Sequence, residues 1–348
     1  MITSAMRIAL LACLLSPALA AQTLVSTQPS NRRGVLEKFT AINCGVCPQG
    51  NTVATSLLAS NADDLIVIGI HGGGLATPSG NQPDFRTAAG SALWSQFGIN
   101  SQPIGLMNRT PHNGQLAISR TQWGSALNTN LATASPVNIG AATQFNEATR
   151  ELTVTAEVYY TADGTAGNDR VHVLLTQSNI IGYQQNYQGG AQSNYSHQHV
   201  LRAYLSPLWG DELTTNTQGT LEQRTYTFTV PASWNIDNCH VVAFVGEFQG
   251  AIHNAVEIGA NNFTTDVEEL NASAPVLLFP QPASDVLNVQ QMIDNAVAVY
   301  EVHDLSGRAV MRIPNTAAGT LVVDVRSLAN GTYILTAPGV AQRFMVAR

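Results

Sequence analysis

Positive charge is scarce in this sequence. Lys38 is its only lysine, and 16 Lys and Arg stand against 23 Asp and Glu, a formal net charge of −7. A phosphate backbone needs a basic surface, which argues against nucleic acid as a partner. Long apolar runs are also missing. After the first twenty residues no stretch approaches the ~20 apolar residues of a spanning helix, which argues against an integral helical membrane protein. There is no short-period repeat and no low-complexity tract, which sets solenoids aside. There is also no Gly-x-Ser-x-Gly elbow, so His71-Gly72-Gly73-Gly74, otherwise similar to an esterase oxyanion loop, reads as a flexible strand-to-helix loop. Charged residues make up 11% and hydrophobic ones 45%, the balance of a folded β-rich chain rather than a disordered one.

What is present begins with an export signal. Arg7 gives a positive start, Ile8 to Leu15 an apolar core, and Ala18-Leu19-Ala20 a small-residue cleavage site, so residues 1–20 are expected to be removed. A lipoprotein site at Cys13 is the rival reading, but only five apolar residues separate it from Arg7. Removal takes away Arg7 and no acid, leaving 15 − 23 = −8. Cys44, Cys47 and Cys239 survive it and reach a compartment where disulfides persist. If Cys44 and Cys47 join each other, Cys239 is left unpaired.

At 348 residues the chain exceeds one ordinary core and is expected to form two or three units. Residues 30–134 alternate strand and helix: Val35 to Phe39, helix formers from Thr52 to Ser60, the doubly buried run Leu65 to Ile70, a helix from Phe85 to Phe97, a hairpin around Pro111 to Gly114, and a closing helix from Thr121 to Thr133. This is an α/β pattern. From Pro136 short strands take over (Glu151 to Tyr159, Arg170 to Thr176, Gln223 to Val230, Cys239 to Val245), predicting a β-sandwich over residues 135–260. A polar linker at 261–274 precedes an all-β unit, 275–348. The fold class is therefore multidomain, α/β plus all-β.

Cys44-Gly45-Val46-Cys47 lies between a predicted strand and a predicted helix. There N–H groups at the helix start favour a thiolate, with Cys44 facing solvent as the attacking residue and Cys47 as its resolving partner. A disulfide that merely stabilises the fold is the competing reading. Zinc would need two further ligands that only Cys239 and scattered histidines offer, so neither metal nor cofactor is expected. His197-Gln198-His199 puts two imidazoles on one face if extended, though a hydrogen-bonded pair on a sheet explains it better. Asp163 to Asp169 reads as an ordinary hairpin loop.

The dithiol and the later stretch Phe97-Gly98-Ile99-Asn100-Ser101-Gln102-Pro103 together resemble the thioredoxin superfamily over residues 30–134. The resemblance implies a cis-proline at Pro103 beside the dithiol, shaping a substrate groove. Two positions depart from that family: Asn43 replaces the usual tryptophan, and Lys38 the usual buried acid, while alternation points neighbouring Glu37 to the opposite face. A charged Lys38 cannot accept a proton. Leu36-Glu37-Lys38-Phe39-Thr40, Tyr195 to Arg202, Trp209-Gly210, Val241 to Val245 and Asn254-Ala255 resemble the family related to the twenty-eight-kilodalton outer membrane protein, which implies an envelope or surface location. Residues 275–348 resemble the type A sorting domain of type IX secretion cargo, through Phe279-Pro280-Gln281-Pro282-Ala283, Asp304-Leu305-Ser306-Gly307-Arg308 and Leu328-Ala329-Asn330-Gly331-Thr332-Tyr333. That resemblance implies passage through the type IX machinery to the outer membrane, cell surface or extracellular space. Thiol–disulfide exchange with a protein substrate is the sharper functional expectation; the alternative is a non-enzymatic surface protein that binds a ligand through its sandwich.

Overall fold

The computed structural model describes residues 23–164, 169–261, 276–291, 299–304, 308–314, 320–337 and 340–348. The expected signal and its cleavage site, the linker from residue 262, most of the Asp163 to Asp169 loop and Leu305-Ser306-Gly307 lie outside them. The chain divides into two compact units, Met1–Asn262 and Phe263–Arg348.

In the first unit the apolar runs form β1 (Gly34–Thr40), α1 (Cys47–Ser60), β2 (Leu65–His71), α2 (Ala88–Gln96), β3 (Ile104–Met107), β4 (Ile118–Ser119) and α3 (Trp123–Leu131). β1 and β2 run parallel, and β3 and β4 extend them antiparallel. Every residue of β2 is buried, which is why Leu65 to Ile70 shows no polar alternation. One face packs Leu36, Val67, Trp123 and Leu127 under α1 and α3; the other packs Val35, Phe39, Ile68 and Leu93 under α2.

The remaining strands are β5 (Val137–Asn146), β6 (Glu151–Tyr160), β7 (Asp169–Gln177), β8 (Ile180–Gln184), β9 (Gln192–His197), β10 (Val200–Tyr204), β11 (Leu221–Thr229), β12 (Cys239–Glu247) and β13 (Ile252–Gly259). β5, β6 and β11 make a three-stranded layer in which β6 alternates, burying Leu152, Val154, Ala156 and Val158. The layer opposite is not separate from the α/β part. β10 pairs antiparallel with β7 and, through Val200 and Gly69, parallel with β2. The order β13-β12-β7-β10-β2-β1-β3-β4 is thus one sheet, nine-stranded with Asp211–Glu212 beside β7. The boundary expected at residue 134 falls inside this single unit. β12 serves both cores: Val241, Ala243 and Val245 face the sandwich, while Val242 and Phe244 join the cluster that contains α2.

Polar side chains stitch the two parts. Asn108 accepts from the Val35 N–H (2.9 Å) and donates to the Arg33 carbonyl (2.8 Å), while its own carbonyl accepts from the Ile252 N–H of β13 (2.8 Å). Glu37 turns away from α1, as alternation requires, and receives Arg109 in a bidentate pair at 2.6 and 2.8 Å, both side chains 1% exposed. The guanidinium lies 5.1 Å from the Phe97 ring and 5.3 Å from that of Phe244.

The second unit packs a three-stranded sheet, β14 (Val276–Phe279), β15 (Val286–Gln291) and β18 (Thr320–Asp324), against a four-stranded one of β16 (Val299–His303), β17 (Ala309–Pro314), β19 (Gly331–Ala337) and β20 (Val340–Val346). Leu287, Val289, Tyr300, Val302, Leu335 and Phe344 fill the space between. Arg308 pairs with Asp304 at 3.1 Å, and the Tyr333 hydroxyl donates to the Ala329 carbonyl at 3.0 Å.

Glu37→Gln leaves a buried guanidinium uncompensated and is expected to lower unfolding free energy by about 3–5 kcal/mol in urea titrations. On β13, burial holds the Glu257 carboxyl up, at about 7 against an ordinary 4.5. The stabilisation it contributes is complete below pH 4.5 and is lost as pH rises through 7. Glu257→Gln should therefore raise the melting temperature at pH 8 and leave it nearly unchanged at pH 4, as followed by calorimetry.

Candidate functional site

Cys44 and Cys47 form a disulfide, Cα–Cα 5.4 Å, in the turn that links β1 to α1. The Cys47 N–H donates to the Cys44 carbonyl (3.2 Å), and α1 begins at Cys47 with Pro48 in its first turn, where no N–H is required. Cys47 is thus the first helical residue. Pro103 follows a cis peptide bond and sits against α1: a Cβ on Gly50 would lie 2.8 Å from the Pro103 Cβ, so this approach needs glycine. The Cys44 Sγ lies 3.7 Å from the Gln102 carbonyl oxygen. Cys44, Cys47 and Pro103 are therefore brought together.

The expected exposure of Cys44 is not found. It is 2% exposed and Cys47 is fully buried, in a cluster with Ala41 and Ala76. The cover comes from two segments. After β2, Gly74–Ala76 forms a short 3-10 turn, and the Leu75 carbonyl accepts from the Asn43 N–H at 3.1 Å. The loop expected to be flexible is therefore held over the dithiol turn. From the other side comes the tip of the β8–β9 hairpin. The Gln185 N–H donates to the Ile42 carbonyl (2.7 Å) and that of Tyr187 to the Gly45 carbonyl (2.9 Å). The Gln184 amide donates to the Ala41 and Cys44 carbonyls, both at 3.1 Å. The Tyr187 ring lies where a Cβ on Gly45 would be, 2.2 Å away. Gln184 and Tyr187 were not found by sequence reasoning, although Gly189-Gly190 between two polar runs is a hairpin signal.

Lys38 is buried and donates to the Asn51 side chain on α1, whose amide nitrogen donates to the Tyr195 hydroxyl at 2.6 Å. Burial lowers Lys38 to about 8, so part of it is neutral in mildly alkaline solution and can accept a proton. His197 and His199 do not share an extended face, because the chain reverses at His199 with φ of 56°. His197 packs on Phe85, His71 and Tyr195 instead, and burial lowers both imidazoles to about 4. No group of three or more potential metal ligands occurs among the described residues. Cys239 is a buried free thiol in the sandwich, raised to about 11 by burial.

Residues 90–263 match the family described as outer membrane protein Omp28, half of the chain's 348 residues. The chain belongs to the Omp28 family. Residues 277–344 match the secretion system C-terminal sorting domain, which implies interaction with the type IX secretion machinery. This Omp28-family protein is accordingly exported to the outer membrane or cell surface. Among solved structures, HBP35 of Porphyromonas gingivalis is 19% identical, with a TM-score of 0.55 over 92% of this chain and 99% of that one, a likeness of fold. A domain of the outer membrane lipoprotein Omp28 from Porphyromonas gingivalis is 22% identical, with a TM-score of 0.26 over 36% of this chain and 87% of that one. No curated protein matches the chain.

Removing the hairpin cover deletes the two main-chain hydrogen bonds made by Gln185 and Tyr187, of about 0.5–1.5 kcal/mol each. Replacing residues 185–190 by a short Gly-Ser link is expected to speed reduction of the disulfide by a small thiol at least about tenfold, measured by trapping free thiols over time.

Proposed function

We propose that this exported protein carries out thiol–disulfide exchange at the cell surface, with its dithiol covered between turnovers. The observation that carries the reading is the strand, dithiol, helix and apposed Pro103, an arrangement that presents one sulfur of the turn to an incoming chain once the hairpin tip has moved. A substrate thiolate attacks the Cys44 Sγ, the Cys44–Cys47 bond breaks, and Cys47 leaves as a thiolate. A second substrate thiolate then attacks the mixed disulfide and releases Cys44. The substrate loses two electrons as its disulfide forms, and the protein gains them; the reverse sequence reduces a substrate disulfide. The signal at 1–20 and the sorting domain supply the route.

The second reading is a non-enzymatic surface protein whose disulfide stabilises the turn, favoured by the burial of both sulfurs. The reduction potential of the mature protein separates the two. A value between about −270 and −120 mV, with exchange activity lost in Cys44→Ser, is expected for an exchange protein. A value below about −300 mV with thiols that resist alkylation until unfolding would establish the structural disulfide.

A further inference from the structure

Beside α1, and apart from the covered disulfide, lies a cavity of about 380 Å³ lined by Lys38, Asn51, Thr55, Tyr195, Gln198 and His199 among others. Lys38 stands between two glycines, opposite Gly69 of β2 and Gly105 of β3. A Cβ at Gly69 would meet the His199 carbonyl at 3.1 Å. No carboxylate lines the cavity, and among the described residues none forms an ion pair with Lys38. The titratable groups facing Lys38 are His71 from β2, Tyr195 and His197 from β9, and His199 from the following turn; α1 contributes no titratable group to the lining.

The donors converge. An ammonium has three protons, and Asn51 accepts one. Asn51 also donates to the Tyr195 hydroxyl oxygen, which leaves the phenol proton to point to another acceptor. The His199 Nδ1 is buried without a partner. A buried cation with spare donors and no anion beside it is costly unless something supplies the charge.

We propose that this cavity binds a carboxylate, which accepts from the Lys38 ammonium and the Tyr195 hydroxyl and serves as the counterion missing from the chain. Its source is a free small acid or the carboxylate of a peptide, and the two are separable by experiment. Because Lys38 is the only lysine, lysine-selective ¹³C labelling of the full mature chain gives a single side-chain signal. Acetate, added against chloride at equal ionic strength, is expected to shift the Lys38 Cε signal saturably, with a Kd of about 1 mM or tighter. The Lys38 titration midpoint should rise by about 1–3 pH units as the anion favours the charged amine.

Tyr195→Phe keeps the amine and removes one donor, and should weaken acetate at least about tenfold. An alanine peptide with a free C-terminus that binds tighter than acetate, while its amidated form does not bind, assigns the site to peptide carboxylates; equal or weaker peptide binding assigns it to small acids. No saturable shift, or the same shift with chloride, would overturn the proposal, as would unchanged acetate affinity in Tyr195→Phe.

Discussion

The first unit is organised around the buried pair of Glu37 and Arg109. Glu37 stands on β1, Arg109 follows β3, and the guanidinium is held between Phe97 after α2 and Phe244 on β12. Four elements that are far apart in the chain therefore have to meet for one charge to be satisfied. An uncompensated guanidinium is costly in a dry interior, so the pair works as a condition on assembly more than as a source of net stability. Asn108, the residue before Arg109, ties β1 to β13 through its side chain and carbonyl at the same place.

Much of the first unit was legible in the sequence where local pattern and burial agree. The run Leu65 to Ile70, the alternation in Glu151 to Tyr159 and the helix formers after Cys47 each state their element, and Glu37 pointed to the face that alternation gives it. Cys44, Cys47 and Pro103 were legible as neighbours because strand, turn and helix order constrain them. The cover over Cys44 was not, since Gln184 and Tyr187 lie about 140 residues later and a polar hairpin tip carries no sign of what it will rest on. The fusion of the two sheets was hidden for a similar reason. It depends on the short strand β10 and on a single parallel pair at Gly69, which no periodicity announces.

The site and its surroundings also show how one strand can serve two unrelated purposes. β1 sends Glu37 to an ion pair that consolidates the α2 face and Lys38 to a cavity on the α1 face. Where the thioredoxin-like pattern would place an acid beneath the dithiol, this chain has an amine held neutral in part by desolvation. The chemistry around the disulfide is therefore shaped by the absence of a carboxylate on that face, and Asn51 and Tyr195 extend the amine's reach by hydrogen bonding.

The position of β10 between β2 and β7 has a consequence for the order in which the chain can become compact. Until Val200–Tyr204 docks, the outer edge of β2 presents the bare backbone of Leu-Ile-Val-Ile-Gly-Ile, and β7 presents the unpaired backbone of its Val-Leu-Leu stretch, Val173 to Leu175. Unpaired edges of that composition recruit other strands. A polypeptide ending near residue 134 thus keeps α1 to α3 and β1 to β4 and still leaves an adhesive margin, so the smallest soluble piece of this protein should run from the start of β1 to the end of β13.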